Sequence, residues 1–161
     1  MSSNPPVVQQ VAWISLIPQI AFILILISIY NHLGYSNSEI YGAFTYLFLS
    51  TALRYFIPKN HRIGLSLTRS KQFEKAIPEY EKSYEFFSKN DWIDKYRFLT
   101  LMSSSKMNYK EMALCNIAFC YSQLGNGAKS IEYYQKTVEE FPENQIAQSA
   151  LKMLGSASNI K

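Results

Sequence analysis

Residues 111–144 are the stretch that most restricts the fold, because they contain two helix-length apolar stripes separated by a turn. The first stripe has the spacing of one helical face and consists of Leu114, Ile117, Ala118, Tyr121 and Leu124. The second stripe consists of Ile131, Tyr134 and Val138. Between them, Gly125-Asn126-Gly127 supplies left-handed conformations at little cost and predicts the end of the first helix. Asn108 and Glu111 predict a capping pair at its start. The pattern therefore predicts a helical hairpin.

The same residues resemble the tetratricopeptide (TPR) repeat, a helix-turn-helix unit of thirty-four residues. The matching positions in the first helix and turn are Leu114, Ile117-Ala118, Tyr121 and Gly125, and those in the second helix are Ser130, Tyr134, Thr137 and Pro142. Ala118 stands where glycine is usual, and Ser130 and Thr137 replace alanines. An ordinary helical hairpin of unrelated ancestry is the alternative. The resemblance implies an α-solenoid that binds a partner and does not catalyse a reaction.

A single repeat cannot bury its apolar faces alone, so neighbouring helices are expected. Gly64, Leu67, Ala76, Tyr80 and Ser83 fall at the same relative positions as Ala118, Tyr121, Ser130, Tyr134 and Thr137, which predicts a degenerate first repeat with Lys71 in place of the turn glycine. The expected TPR-like domain covers 58–155. It comprises repeats at about 57–90 and 111–144, an inserted helix at about 91–104 and a cap helix at about 143–155, and a flexible tail at 156–161 follows the domain.

The N-terminal part is much more apolar and predicts a transmembrane helical hairpin at 11–57, with spans at 11–30 and 40–57. Basic residues are absent from 1–10 and follow the second apolar segment instead, which places the tail 1–10 and the TPR-like domain in the cytosol. The expectation is an all-α, multi-pass integral protein of a bacterial cytoplasmic membrane. A cleaved signal peptide, two buried helices of a soluble protein, and one span plus an interfacial helix are the alternatives.

Charge and reactive side chains indicate no enzyme. The net charge of +4 is modest, and its concentration after the second apolar segment suits anionic headgroups better than nucleic acid. Cys115 and Cys120 point in different directions on one helix, so free buried thiols are expected and a metal site is not. His32 and His61 are each isolated, and neither has a neighbouring residue with which it could form the nucleophile-base pair of a catalytic site. We expect no catalytic residue, no metal and no cofactor.

The sequence predicts a membrane-anchored TPR adaptor that binds a protein or peptide at the cytosolic membrane surface. TPR stacks present a concave face lined by the first helix of each repeat, and carried onto this chain that face holds Arg62, Leu65, Arg69, Met112, Asn116, Phe119 and Gln123. Phe119 and Met112 would form an apolar anchor, and Arg62 and Arg69 would steer acidic partners. A second copy of the chain, in a homo-oligomer, is a further candidate partner. The alternative is an integral accessory subunit of a membrane transport or enzyme complex whose hairpin makes the main contacts.

Overall fold

A computed structural model describes residues 12–158, and within that range the chain is helical and forms no strand. A 3-10 turn at Trp13–Ser15 precedes the first helix. The α-helices are α1 (Leu16–His32), α2 (Ser38–Phe56), α3 (Lys59–Arg69), α4 (Phe73–Lys89), α5 (Asp91–Lys95), α6 (Arg97–Thr100), α7 (Tyr109–Gln123), α8 (Gly127–Glu140) and α9 (Gln145–Ser158). The all-α prediction is confirmed. The predicted tail 1–10 lies outside the described residues.

The helices divide between two compact units. The first, called here the repeat unit, contains α3, α4, α7, α8 and α9 from segments 59–90 and 107–158. The second, called the hairpin unit, contains α1, α2, α5 and α6 from segments 12–58 and 91–106. Each unit is described by itself below.

In the repeat unit each helix packs against the next one in the order α3, α4, α7, α8, α9. One core cluster joins α4 to α7 and consists of Ala76, Ile77, Tyr80, Ile117 and Cys120. A second joins α7, α8 and α9 through Ala118, Tyr134 and Ala147, with Leu151 and Leu154 packed against them. Within these clusters, Ala76, Tyr80, Ala118 and Tyr134 lie at the small and aromatic positions of the two predicted repeats, so the apolar pattern places neighbouring helices in close contact.

The turn between α3 and α4 has the same hydrogen bonds as the turn between α7 and α8. In the first, the amide of Gln72 donates to the Leu67 carbonyl over 2.9 Å. In the second, the amide of Asn126 donates to the Tyr121 carbonyl, also over 2.9 Å. Such bonds satisfy carbonyls left free at a helix C-terminus. Both hairpins therefore close by one local mechanism, despite different turn sequences.

In the hairpin unit, α1 and α2 pack along each other through small and polar residues of α2. Gly42 lies so close to Ile27 that an added Cβ would come within 2.7 Å of its Cγ1 atom. The hydroxyls of Tyr30 and Thr45 are 2.8 Å apart and form a hydrogen bond between the two helices. The turn at Gly34 has a left-handed φ of 82°. The helical hairpin itself is thus present, with α1 and α2 packed against each other.

The predicted membrane spans are wrong for the described residues. Between residues 12 and 158, no helix is both long enough and apolar enough to cross a membrane. Helix α1 has 17 residues, roughly 25 Å at about 1.5 Å per residue, against a hydrocarbon core of about 30 Å. Helix α2 has 19 residues but includes Glu39, Arg54 and several hydroxyl-bearing side chains. The predicted multi-pass integral localisation, with its cytosolic orientation, is therefore overturned.

The segment predicted as one inserted helix, 91–104, differs from that expectation. It forms the two short helices α5 and α6, and residues 101–104 are not helical. The break follows from side chains that compete for backbone groups: the Thr100 hydroxyl donates to the Ile93 carbonyl over 2.7 Å. At the other end, α9 continues through Ser158 into the predicted flexible tail, of which 159–161 lie outside the described residues.

Candidate protein-interaction site

Helix α7 is the first helix of the clear repeat, and its start is fixed by a network of polar side chains. The Glu111 amide donates to the Asn108 side chain over 2.8 Å, and the Asn108 amide donates back to the Glu111 carboxylate over 3.4 Å. This confirms the predicted capping pair. The same carboxylate accepts a 2.8 Å hydrogen bond from Asn144, whose side-chain oxygen caps α9 by accepting from the Ala147 amide over 2.7 Å.

Helices α3 and α7, the first helices of the two predicted repeats, meet through buried polar groups. The Thr68 hydroxyl donates to the Gly64 carbonyl over 2.9 Å and lies 3.1 Å from the Tyr80 hydroxyl. It also lies 3.7 Å from the Cys120 sulfur, on α7. The ring of Tyr80 sits against Gly64, where an added Cβ would come within 2.9 Å of it. The small glycine therefore permits the close approach of α3 and α4.

The seven residues predicted to line the concave face differ widely in exposure. Arg69 and Gln123 are exposed, and they occupy the last turns of α3 and α7. Arg62, Leu65 and Met112 are half-buried. These five side chains retain solvent-accessible surface that a partner could contact.

Asn116 and Phe119 are placed differently, since they are only 4 % and 8 % exposed. The Phe119 ring makes an edge-to-face contact with the ring of Phe73 at the start of α4, with centroids 6.2 Å apart. This contact joins the two repeats and occupies the side chain that the sequence assigned to an apolar anchor. Within residues 12–158, the part of the proposed face open to solvent is therefore formed by the other five residues.

Helix α3 and the turn that follows it carry positive charge, because residues 57–73 include several basic residues and no acidic one. Lys59, Arg62, Arg69 and Lys71 lie between residues 57 and 73, and the next acidic residue is Glu74. Helix α3 contains no acidic residue in its first turn and ends with Arg69. A cation in that last turn is favourable because the free carbonyls of a helix C-terminus carry partial negative charge. The exposed end of α3 is accordingly suited to attract anionic groups.

The titratable groups buried in the repeat unit are held in their neutral forms. Burial lowers the pKa of His61 to about 4, and its ring lies edge-on to Tyr80 and Tyr109 with centroids 5.4 and 5.3 Å away. Burial raises the pKa of Cys115 to about 12 and that of Cys120 to about 11. Because the thiolate is the reactive and metal-binding form, these two thiols are unsuited to either role at neutral pH.

The described part of the chain also offers no metal centre, since no group of three or more His, Cys, Asp or Glu side chains within 12–158 could hold an ion. Both cysteines are free and buried, as the sequence predicted.

Two structural roles were missed at the level of sequence. His61 is part of the core between α3, α4 and α7, with its Nδ1 atom 3.4 Å from the Ser83 hydroxyl. Helical periodicity around Gly64 could have placed it on the buried face. Asn144 links the ends of α7 and α9 through Glu111. An asparagine directly before an apolar-periodic helix is a capping signal, but its bond to the residue at the other end of the same repeat is purely tertiary.

The helices of the repeat unit form antiparallel pairs, and each pair packs on the next. This arrangement is that of an α-helical repeat protein. Residues 113–144 match the tetratricopeptide repeat family, and the match covers most of α7 and all of α8. This supports a TPR family for the chain, and such proteins are generally non-catalytic scaffolds for protein–protein interaction. Neither a curated protein nor a solved structure matches the chain.

Proposed function

We propose that this protein is an adaptor whose repeat unit binds an acidic protein segment along the exposed parts of α3 and α7. The observation that supports this most is the TPR match at 113–144, which covers most of α7, the helix that carries Met112 and Gln123 on its accessible side. The first helices of TPR repeats line the partner-binding face, and α3 neighbours α7 through Thr68 and Cys120.

The chemistry of the partner follows from the side chains that remain accessible. Arg69 is exposed in the last turn of α3, beside Lys71, which is also exposed. Leu65 and Met112 supply half-buried apolar surface, and methionine adapts to different apolar partners. An acidic segment with one apolar side chain complements this combination: charge gives orientation and association rate, and apolar contact gives affinity.

A pair of matched peptides tests this proposal on the full chain. One fluorescent peptide is rich in Asp and Glu around a single Leu, and the other has Lys at each acidic position. We expect the full chain to bind the acidic peptide. Arg69→Glu should weaken that binding about tenfold or more, since reversing a charge replaces attraction by repulsion.

Lys152→Glu is the matched control, because Lys152 is exposed on α9 and its reversal changes the net charge equally. Equal loss in both variants would show a non-specific charge effect and contradict a site on α3. Vesicles with anionic or zwitterionic lipids form a further arm, and binding to anionic vesicles without peptide binding would argue against the acidic-segment proposal. Anionic headgroups and a second copy of the chain remain predicted partners that await such measurements.

A second candidate function is an accessory subunit of a larger protein assembly, with the α1–α2 hairpin making the main contacts. It is favoured by the exposure of large apolar side chains on α2: Phe44 is 67 % exposed, Leu47 60 % and Phe48 77 %. Exposed apolar surface of this kind marks interaction sites. Two full-chain variants separate the candidates by crosslinking: Phe44→Ser with Phe48→Ser alters the exposed face of α2, and Arg69→Glu alters the site on α3. If the hairpin makes the main contacts, crosslinked partners should disappear only in the Phe44→Ser, Phe48→Ser variant. If the repeat unit makes them, they should disappear only in Arg69→Glu.

A further inference from the structure

The hairpin unit contains a polar cluster in which side chains of α1 and α2 converge on the backbone of residues 101 and 102. The Gln19 amide on α1 donates to the Met102 carbonyl over 3.1 Å. Arg54 on α2 donates to the same carbonyl through Nη2 and to the Leu101 carbonyl through Nε over 3.3 Å. The two helices thus hold a residue that lies 83 positions after Gln19 and 48 positions after Arg54. This role of Gln19 and Arg54 could not be read from the sequence, because it depends on contacts between residues far apart in the chain.

The donor on α1 is itself oriented by α2. The Tyr46 hydroxyl donates to the Gln19 side-chain oxygen over 3.2 Å, so the amide can only turn its nitrogen toward residue 102. Gln19 is 8 % exposed, and the acceptor residues Leu101 and Met102 are 0 % and 6 % exposed. A buried carbonyl without a partner is costly, so these donors supply bonds that water cannot easily replace.

The segment is held in a conformation that its own sequence disfavours. Met102 has a left-handed φ of 48°, an uncommon conformation for a side chain other than Gly, Asn or Asp. The amides of Leu101 and Ser103 both donate to the Arg97 carbonyl, over 3.1 and 3.0 Å, which tightens the turn. Backbone strain of this kind persists when surrounding groups over-determine it. Here the surrounding groups include Gln19 and Arg54.

We propose that Gln19 and Arg54 form a releasable clasp through which the α1–α2 hairpin sets the conformation of residues 101–104. Those residues lead along the chain to Asn108, the N-cap of α7. The clasp has a built-in means of release, because Arg54 is exposed and its bonds here go to neutral carbonyls. A carboxylate or phosphate forms a stronger, bidentate pair with a guanidinium and would compete for it. An event at the hairpin that engages Arg54 would therefore free the segment.

Amide hydrogen exchange in the full chain tests the clasp, with the Leu101 and Ser103 amides as reporters. Arg54→Met and Gln19→Met each remove donors but keep side-chain volume. Arg54→Met removes the bonds to both the Leu101 and the Met102 carbonyls and should raise exchange several-fold, whereas Gln19→Met leaves the Met102 carbonyl bonded to Arg54 and should raise exchange only slightly. The double variant also takes the second donor from the Met102 carbonyl and should raise exchange about tenfold or more, beyond the product of the single effects.

Two controls distinguish a clasp from general loss of structure. Thr51→Ala alters an exposed side chain on the same helix and should leave the reporters unchanged. Met102→Gly relieves the left-handed conformation and removes a buried side chain but keeps both donors, and it should raise exchange much less than the double variant. Unchanged exchange in the double variant would overturn the proposal. So would a rise in Met102→Gly as large as in the double variant, because the hold would then come from the local chain.

Discussion

Lys71 adopts the same left-handed backbone conformation as Gly125, with φ of 58° against 74°. The two residues occupy corresponding positions in the turns after α3 and α7, and each is followed by a residue whose amide bonds back to the preceding helix over 2.9 Å. Glycine adopts this conformation without a Cβ penalty, whereas lysine does not. The degenerate repeat therefore keeps the turn geometry of the clear one while carrying a residue that opposes it.

Lys71→Gly should stabilise the protein. Relief of the left-handed strain outweighs the greater flexibility of glycine in the unfolded chain, and we expect a gain of about 0.5–1 kcal/mol in the free energy of unfolding. Urea unfolding followed by circular dichroism measures it. Lys71→Ala removes the charge but keeps the Cβ, so a gain equal to that of Lys71→Gly would attribute the effect to charge instead.

Gly64→Ala should destabilise the repeat unit. Its new Cβ would lie 2.9 Å from the Tyr80 ring, which is fully buried and cannot move aside. Overpacking of this kind costs about 1–3 kcal/mol. Thermal and urea unfolding should show the loss, whereas Gly127→Ala on α8, with no atom within 4 Å of the added Cβ, should be neutral or slightly stabilising. Similar behaviour of both variants would contradict the close crossing of α3 and α4.

Ser130→Ala should also stabilise the protein. The Ser130 hydroxyl is fully buried and has no hydrogen-bond partner within the described residues. Removing such an unsatisfied group is expected to gain about 1 kcal/mol. Thr137→Val is the comparison, because the Thr137 hydroxyl donates to the Tyr133 carbonyl over 2.7 Å and its loss should destabilise. A drop in the unfolding midpoint of Ser130→Ala would mean that the hydroxyl has a partner after all.

Stability should fall in mild acid because of His61. Its pKa is lowered from 6.5 in the unfolded chain to about 4 in the fold, so the unfolded state binds a proton first as the pH drops. The stabilisation is complete above pH 6.5 and is lost progressively down to about pH 4. Between pH 7.5 and 5 we expect a loss of about 2 kcal/mol from this group.

The variant that tests this is His61→Phe with Ser83→Ala, which keeps a ring between Tyr80 and Tyr109 and removes the hydroxyl left without a partner. Urea unfolding at several pH values should show a shallower slope in the variant than in the wild type. His32→Gln changes the other histidine, which is exposed, and should keep the wild-type slope. Parallel slopes for wild type and the double variant would exclude His61 as the source.

Much of the repeat could be predicted because its signals are local. The spacing from Leu114 to Leu124 implies a helical face, Asn108 and Glu111 imply a cap, and Gly125 implies a turn, since each depends on residues within one or two turns of helix. The candidate site was less predictable. The accessible positions of Arg69 and Gln123 agree with a surface role. Phe119 instead contacts Phe73, and helical spacing alone does not predict a contact between two different helices.

The α1–α2 hairpin shows that apolar composition alone does not predict whether a helix crosses a membrane. A long apolar run predicted a membrane span at 11–30, yet the helix begins at Leu16 and α2 carries polar side chains that bond within its own unit. Arg54 illustrates the difference: it lies within the second apolar segment, and in the fold it donates to the carbonyls of residues 101 and 102.

The sequence by itself determined the two helices of the clear repeat, the turn at Gly125 and the resemblance of residues 111–144 to a TPR repeat, because periodicity, caps and turn residues act over a few positions. Only the tertiary structure decided that Lys71 takes a left-handed conformation, that His61 is buried against Tyr80 and Tyr109, and that residues 101 and 102 bond to α1 and α2. Those outcomes depend on which distant groups burial brings together, and the cost of leaving a buried polar group without a partner then selects among the possible contacts.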